Sequence, residues 1–133
     1  MGLFNDFTIS GSGMYTNRKW IDALSDNIAN INTIKPFDQD AFQERFVEVT
    51  NANVNGSGGG VAVTGVKFGS AEGQMRYDPT NPNANEQGYV RAPDMNLADQ
   101  MTSLIAAQRG YQANASAIQR AKEAYQAALG LGR

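Results

Sequence analysis

The chain has 133 residues, with 11 Lys plus Arg against 13 Asp plus Glu and neither His nor Cys. This length fits one domain, and the missing His and Cys exclude catalytic triads, zinc sites, haem and iron–sulfur clusters built on those residues. A pI near 5.0 gives no overall attraction for a polyanion. We therefore expect neither a nucleic-acid partner nor a cofactor.

The N-terminal sequence, Met1-Gly2-Leu3-Phe4, lacks the basic region and apolar stretch of a secretory signal peptide. No segment approaches the ~20 apolar residues that span a bilayer. We expect a protein that is not integral to a membrane and that reaches any site outside the cytoplasm without a cleaved signal peptide.

The first proline-free segment carries apolar residues at alternating steps of four and three, the spacing of a helix that packs along one stripe. We predict a helix over residues 3–31. Gly11 and Gly13 each weaken it by about 1 kcal/mol relative to Ala, so its start should be soft unless packing supports it. The predicted packing residues are Leu3, Phe7, Met14, Ile21, Leu24, Ile28 and Ile31.

The middle of the chain holds all four prolines and reads as short strands separated by turns. Alternating valines at 47–49 and 61–68, followed by Met75 and Tyr77, predict a small antiparallel β unit. Residues after Tyr77 predict a turn-rich connection into the last helix.

The run from Gly56 to Gly60 lacks the Lys-Ser/Thr of a phosphate-binding loop, so we predict a flexible loop over 55–60. Three carboxylates, Asp38, Asp40 and Glu44, are also open to a hydrolase interpretation, because glycosidases place two carboxyls around one bond. A solvated loop explains them more simply.

The last segment repeats the apolar pattern, with Gly110 as its weak point. A first helix of about 29 residues spans ~44 Å, which is more than the small middle segment covers, so the helices must pack on each other or on other chains. The predicted packing residues of the last segment are Leu97, Met101, Leu104, Tyr111, Ile118, Tyr125 and Leu129.

The predicted fold is α+β, with long N- and C-terminal helices that pair as an antiparallel coiled-coil-like hairpin around a small antiparallel β unit. Its segments are 1–33, 34–96 and 97–133.

Three stretches can each be interpreted locally, in chain order, as a helix end, a turn-rich connection and the polar border of a helix. They are Asn27-Ile28-Ala29-Asn30 with Thr33, then Tyr77-x-Pro79-x-Asn81-Pro82 with Gly88-Tyr89-Val90-x-x-Pro93-Asp94-Met95, and Gln108-Arg109-x-Tyr111-Gln112-Ala113-Asn114. In this order and spacing they resemble the bacterial flagellar basal-body rod and hook family. The resemblance covers nearly the whole chain.

The resemblance implies a structural subunit of the proximal rod rather than an enzyme. Such subunits are exported through the flagellar type III apparatus and stack in the periplasm as a helical tube, which carries motor torque to the hook and filament. The implied partners are copies of the chain, other rod proteins, the export apparatus and basal-body ring components. Segment 34–96 would form an outer domain.

The resemblance also implies which polar side chains fix the register between subunits. They are Asn27, Asn30, Thr33, Gln108, Arg109, Gln112 and Asn114. Two other readings stay open: a helical-hairpin adaptor that binds one partner helix, and the carboxylate-based periplasmic hydrolase.

Overall fold

The computed structural model describes residues 3–54 and 57–132 and contains two long helices with short strands between them. The strands form two separate two-stranded antiparallel sheets, β1 with β2 and β3 with β4. The elements are α1 (Leu3–Asn30), β1 (Arg45–Val54), β2 (Ser57–Phe68), β3 (Gln74–Tyr77), β4 (Tyr89–Ala92) and α2 (Leu97–Leu131). The predicted α+β fold with two terminal helices is confirmed.

Asparagine side chains mark both ends of the connection between the helices. At the end of α1, the Asn30 side-chain amide donates to the Asp26 carbonyl (2.8 Å), and the Thr33 hydroxyl donates to Asn30 Oδ1 (3.2 Å). At the start of α2, the Ala98 N–H donates to Asn96 Oδ1 (2.8 Å), which is an N-cap. The Ala98 bond satisfies a backbone N–H that the start of a helix leaves without an intrahelical partner, and the two Asn30 bonds tie that side chain to the last turn of α1 and to Thr33.

The described residues fall into two compact units, each of which combines parts of both helices with strands. Unit 1 comprises the described residues of Met1–Ile21, Val47–Gly65 and Ile105–Arg133, and unit 2 comprises Asp22–Phe46 and Val66–Leu104. The units cut across both helices and differ from the three sequence segments, whose arrangement in an assembled rod remains a prediction.

The core of unit 2 is built around β4. Val90 is fully buried, whereas its neighbour Tyr89 is exposed, as expected where successive side chains point to opposite faces of a sheet. The Arg91 guanidinium donates to the carbonyls of Phe37 (2.8 Å) and Glu72 (2.7 Å) and so ties two loops to this strand. The prediction of a turn-rich connection was therefore wrong for Tyr89–Ala92, which pairs with β3.

The flexible loop predicted over 55–60 is also wrong in part, because Ser57–Gly60 belongs to β2; Asn55 and Gly56 lie outside the described residues. The Val61 N–H donates to the Ser12 hydroxyl on α1 (3.1 Å), and Gly60 takes a positive φ of 102°. A glycine backbone permits both the close approach and this dihedral angle.

Replacing Gly60 by Ala is expected to destabilise the protein by about 1–2 kcal/mol. The new Cβ would meet the Ser12 hydroxyl, and the left-handed conformation is unfavourable for an L-residue. Gly65→Ala on the same strand is the control, since its Cβ comes no nearer than 4.0 Å to Glu48. Urea unfolding measures both, and equal free energies of unfolding would contradict the close approach.

Candidate assembly site

Asn27 is the fully buried polar centre of unit 2. Its Oδ1 accepts the Arg45 N–H (2.9 Å), and its amide donates to the Arg45 carbonyl (3.1 Å) and to Gln100 Oε1 (3.0 Å). Gln100 in turn donates to Glu44 Oε1 (2.6 Å). One amide thus joins α1, the start of β1 and α2, and satisfies three polar groups at once.

Apolar and charged neighbours hold this amide in place. Ala23 and Leu24 are buried one turn earlier on α1. Arg45 forms an ion pair with Asp26 and lies over the Phe42 ring, with its guanidinium carbon 5.6 Å from the ring centroid. Because this ion pair is exposed, its own contribution is no more than about 1 kcal/mol. The pair joins the last turns of α1 to the start of β1, beside the hydrogen bonds between Asn27 and the Arg45 backbone.

Truncation of Asn27 to Ala is expected to lower the free energy of unfolding by about 3 kcal/mol or more, because it leaves the Arg45 N–H, the Arg45 carbonyl and Gln100 Oε1 without this partner. Asn30→Ala, which removes bonds only at the helix end, should cost about 1 kcal/mol. Chemical denaturation of the two variants compares them. A smaller loss for Asn27→Ala than for Asn30→Ala would refute the central role of Asn27.

In unit 1 the two helices contact each other through a reciprocal Gly-x-x-x-Asn arrangement. On α1 the Asn17 amide donates to the Gly13 carbonyl (2.8 Å), and on α2 the Asn114 amide donates to the Gly110 carbonyl (2.9 Å). A Cβ on Gly13 would lie 2.8 Å from Asn114 Nδ2, and one on Gly110 would lie 2.7 Å from Asn17 Oδ1. Each asparagine therefore packs over the glycine of the opposite helix.

The order of these contacts shows that the helices are antiparallel within unit 1, because four residues forward on α1 correspond to four residues back on α2. The α1 helix continues through Gly13 despite that residue's low helix propensity, because the contact with Asn114 supports the helix there. The glycine provides the space in which the Asn114 amide lies.

Gly11→Ala and Gly13→Ala are expected to differ by about 1–2 kcal/mol. A Cβ on Gly11 meets nothing within 4 Å, so that variant should gain up to about 1 kcal/mol of helix propensity. A Cβ on Gly13 displaces the Asn114 amide from its hydrogen bond, which offsets the gain.

A double-mutant cycle of Gly13→Ala with Asn114→Ala isolates this contact. The cost of the Gly13 Cβ should disappear when the Asn114 side chain is removed. Strict additivity would mean that the two residues do not interact.

Sequence comparison identifies the chain's relatives. Residues 86–131, which include β4 and α2, match the family described as flagellar basal body rod FlgEFG protein C-terminal. The chain is 36% identical to the flagellar basal-body rod protein FlgC of Aquifex aeolicus, covering 95% of this chain and 94% of that protein. It is 30% identical to the FlgC of Borreliella burgdorferi, covering 98% of both. The chain belongs to the FlgC family of flagellar basal-body rod proteins.

Of the packing residues predicted for this FlgC-family chain, only Leu24 is buried. The side chain of Leu3 lies outside what the structure describes. Half-buried are Phe7, Met14, Ile21, Ile28, Ile31, Leu104, Tyr111 and Ile118, and exposed are Leu97, Met101, Tyr125 and Leu129. Their role in packing between subunits stays a prediction, and the exposed group has the surface that such a role requires.

The buried face of α2 also includes Gln100 and Ala107, which sequence reasoning missed. The sequence prediction was based on large apolar side chains at helical spacing, and a glutamine and an alanine do not meet that criterion. The small side chain of Ala107 allows neighbouring groups to approach α2 closely. The Gln100 amide can be buried because Asn27 and Glu44 satisfy its hydrogen bonds. The only indication in the sequence was Asn27, an asparagine among apolar residues of α1, whose amide would need polar partners when buried.

The polar side chains predicted to fix register divide by exposure. Asn27 is buried, whereas Asn30, Thr33 and Asn114 are half-buried in the contacts described above. Gln108, Arg109 and Gln112 are exposed on α2. The first group stabilises the subunit itself, and register contacts between copies of a FlgC-family protein remain a prediction for all seven.

The carboxylates considered for a hydrolase have separate surroundings. Asp38 and Asp40 are exposed, and Glu44 accepts the hydrogen bond from Gln100. Within residues 3–54 and 57–132 no group of three or more acidic side chains is placed to hold a metal ion. No helix in the same ranges has the length and apolar character needed to cross a membrane. The curated FlgC relatives are named as rod proteins.

Proposed function

We propose that the chain is a structural subunit of the flagellar proximal rod, which polymerises into the helical drive shaft that transmits motor torque to the hook and filament. The observation that carries this proposal is sequence likeness to FlgC rod proteins along nearly the full length of both chains. It extends through both helices, both sheets and the connections between them.

The exposed apolar side chains of α2 support a polymeric role. Leu97 and Met101 lie one helical turn apart and are each about half exposed, and Tyr125 and Leu129 repeat this spacing further along the helix. Large apolar side chains on a long exposed helix are typical of surfaces that pack against other chains. In the rod, these residues would contact neighbouring subunits.

The same proposal gives the location and the partners. The chain lies in the periplasmic part of the basal body and is exported by the flagellar type III apparatus without a cleaved signal peptide. Its neighbours are copies of itself, other rod proteins and basal-body ring components. It has no enzymatic role.

Isolated basal bodies test the location directly. Cells that lack the chain should not swim, and basal bodies purified from complemented cells should contain it in the rod, as shown by immunogold labelling. Normal swimming without the chain, or its absence from purified basal bodies, would refute the proposal.

Met101→Asp is expected to abolish motility while the purified chain keeps its helical circular dichroism spectrum. The side chain is exposed in the subunit, so folding tolerates the carboxylate. At a contact between subunits, the same carboxylate would be buried without a partner in every copy, at a cost of several kcal/mol each.

Thr102→Asp is the matched control, because it adds the same charge at an exposed neighbouring position of α2. Cells with that change should swim. Swimming cells with Met101→Asp would refute the assignment of this helix face.

A further inference from the structure

The two units carry charges of opposite sign. The described residues of unit 1 include five Lys or Arg against three Asp or Glu, which gives a net charge of +2. Unit 2 includes five Lys or Arg against ten Asp or Glu, which gives −5. Within the described residues one ion pair, Arg45–Asp26, lies inside 4.0 Å, so most of these charges are not paired inside the chain.

One face of the β3–β4 sheet in unit 2 carries three large exposed side chains, one apolar and two aromatic. Met75 and Tyr77 alternate along β3, and Tyr89 lies directly opposite Tyr77 on β4. They are 67%, 65% and 39% exposed, on the face opposite the buried Val90. The rings of Tyr77 and Tyr89 meet edge to face with centroids 5.3 Å apart, so they present a preformed aromatic pair.

Unit 1 contains an apolar groove of a size that suits such a pair. The groove has a volume of about 290 Å³ and is lined by Trp20, Val47 and Val49 together with Thr16 and Asn17. An apolar cavity of about 150 Å³ already accommodates benzene. Trp20 and Val49 remain partly open to solvent, and the exposed Arg18 and Lys19 precede Trp20 on α1.

We propose that the β3–β4 face of one copy docks into the Trp20–Val47–Val49 groove of the next copy. This inference rests on the proposed rod function and names a contact through which the polymer grows. Charge selects this occupant, because the sheet face belongs to the acidic unit 2 and the groove to the basic unit 1.

The acidic residues nearest to the sheet in the chain are Glu72 and Glu86, which are exposed and come two and three residues before β3 and β4. Arg91 also lies on this side of the sheet, but its guanidinium is held by the carbonyls of Phe37 and Glu72. Because the two docking surfaces differ, a pair of docked copies still has one free sheet face and one free groove. Such a contact continues from copy to copy instead of closing into a two-fold dimer, and it builds an open helical array when the rotation between copies does not close a ring.

Cross-linking tests the contact cleanly because the chain has no cysteine of its own. Copies with Met75→Cys are mixed with copies with Val49→Cys under a mild oxidant, and disulfide-linked dimers are separated by mass. The mixed dimer is expected to exceed either like dimer by about tenfold. The control uses a copy with Ala128→Cys in place of the Val49→Cys copy. Ala128 is exposed on α2 in unit 1 and is not one of the groove residues, so mixed dimers should not exceed like dimers.

Charge reversal tests the complementarity. Adding Arg18→Glu and Lys19→Glu to the Val49→Cys copy should lower the mixed yield about tenfold, and adding Glu72→Lys and Glu86→Lys to the Met75→Cys copy should restore it. Asp6→Lys with Glu123→Lys on the Met75→Cys copy is the control. It shifts net charge as the Glu72 and Glu86 changes do, without touching either surface, and should not restore the yield.

A yield of mixed dimers no higher than that of like dimers would overturn the contact. So would an equal recovery of the mixed yield with Asp6→Lys and Glu123→Lys as with Glu72→Lys and Glu86→Lys. If basal bodies contain the chain in the rod but the Met75→Cys and Val49→Cys copies do not cross-link, the rod function stands and the docking is wrong. If they cross-link but basal bodies lack the chain, the docking stands and the rod function is wrong.

Discussion

The structure of unit 2 depends on burying one amide, Asn27, with all its hydrogen bonds made. An unpaired amide in an apolar interior costs a few kcal/mol, so the side chain determines which groups must surround it. The Arg45 backbone and the Gln100 side chain meet that need only when α2 and the start of β1 lie where they are observed. Buried polar groups of this kind specify one arrangement, at some cost compared with an apolar contact.

Unit 1 achieves specificity in a different way. Gly13 and Gly110 bring the helix backbones close, and Asn17 and Asn114 fill the space that the missing side chains leave. The asparagines bond to carbonyls of their own helices, so they are polar residues that remain satisfied within a tight contact. Large apolar side chains are then free for the outside of the subunit, where Tyr125 and Leu129 are found. This distribution suits a protein whose main apolar contacts form between copies.

Much of this fold was predictable from spacing alone. The helices and the strands β1, β2 and β3 were found because their apolar residues repeat with the period of each structure. β4 was missed because it lies between Gly88 and Pro93, residues that usually mark turns, and the first residues of β2 were missed because they are mostly glycine. Gln100, Ala107 and the two glycine contacts were missed for a common reason. They are small or polar residues whose position depends on a partner distant in sequence.

The pairing of Asn27 with Gln100, 73 residues apart, also has a kinetic consequence. Both units include parts of α2, so neither is complete until the C-terminal helix has been synthesised. Contacts this distant in sequence require the closure of a long loop before they contribute stability, which slows folding. A ribosome-bound nascent chain that ends before Leu97 would therefore contain neither finished unit. In the proposed type III export, the late position of α2 would leave the growing polypeptide without a finished unit, which is the state that a narrow channel admits.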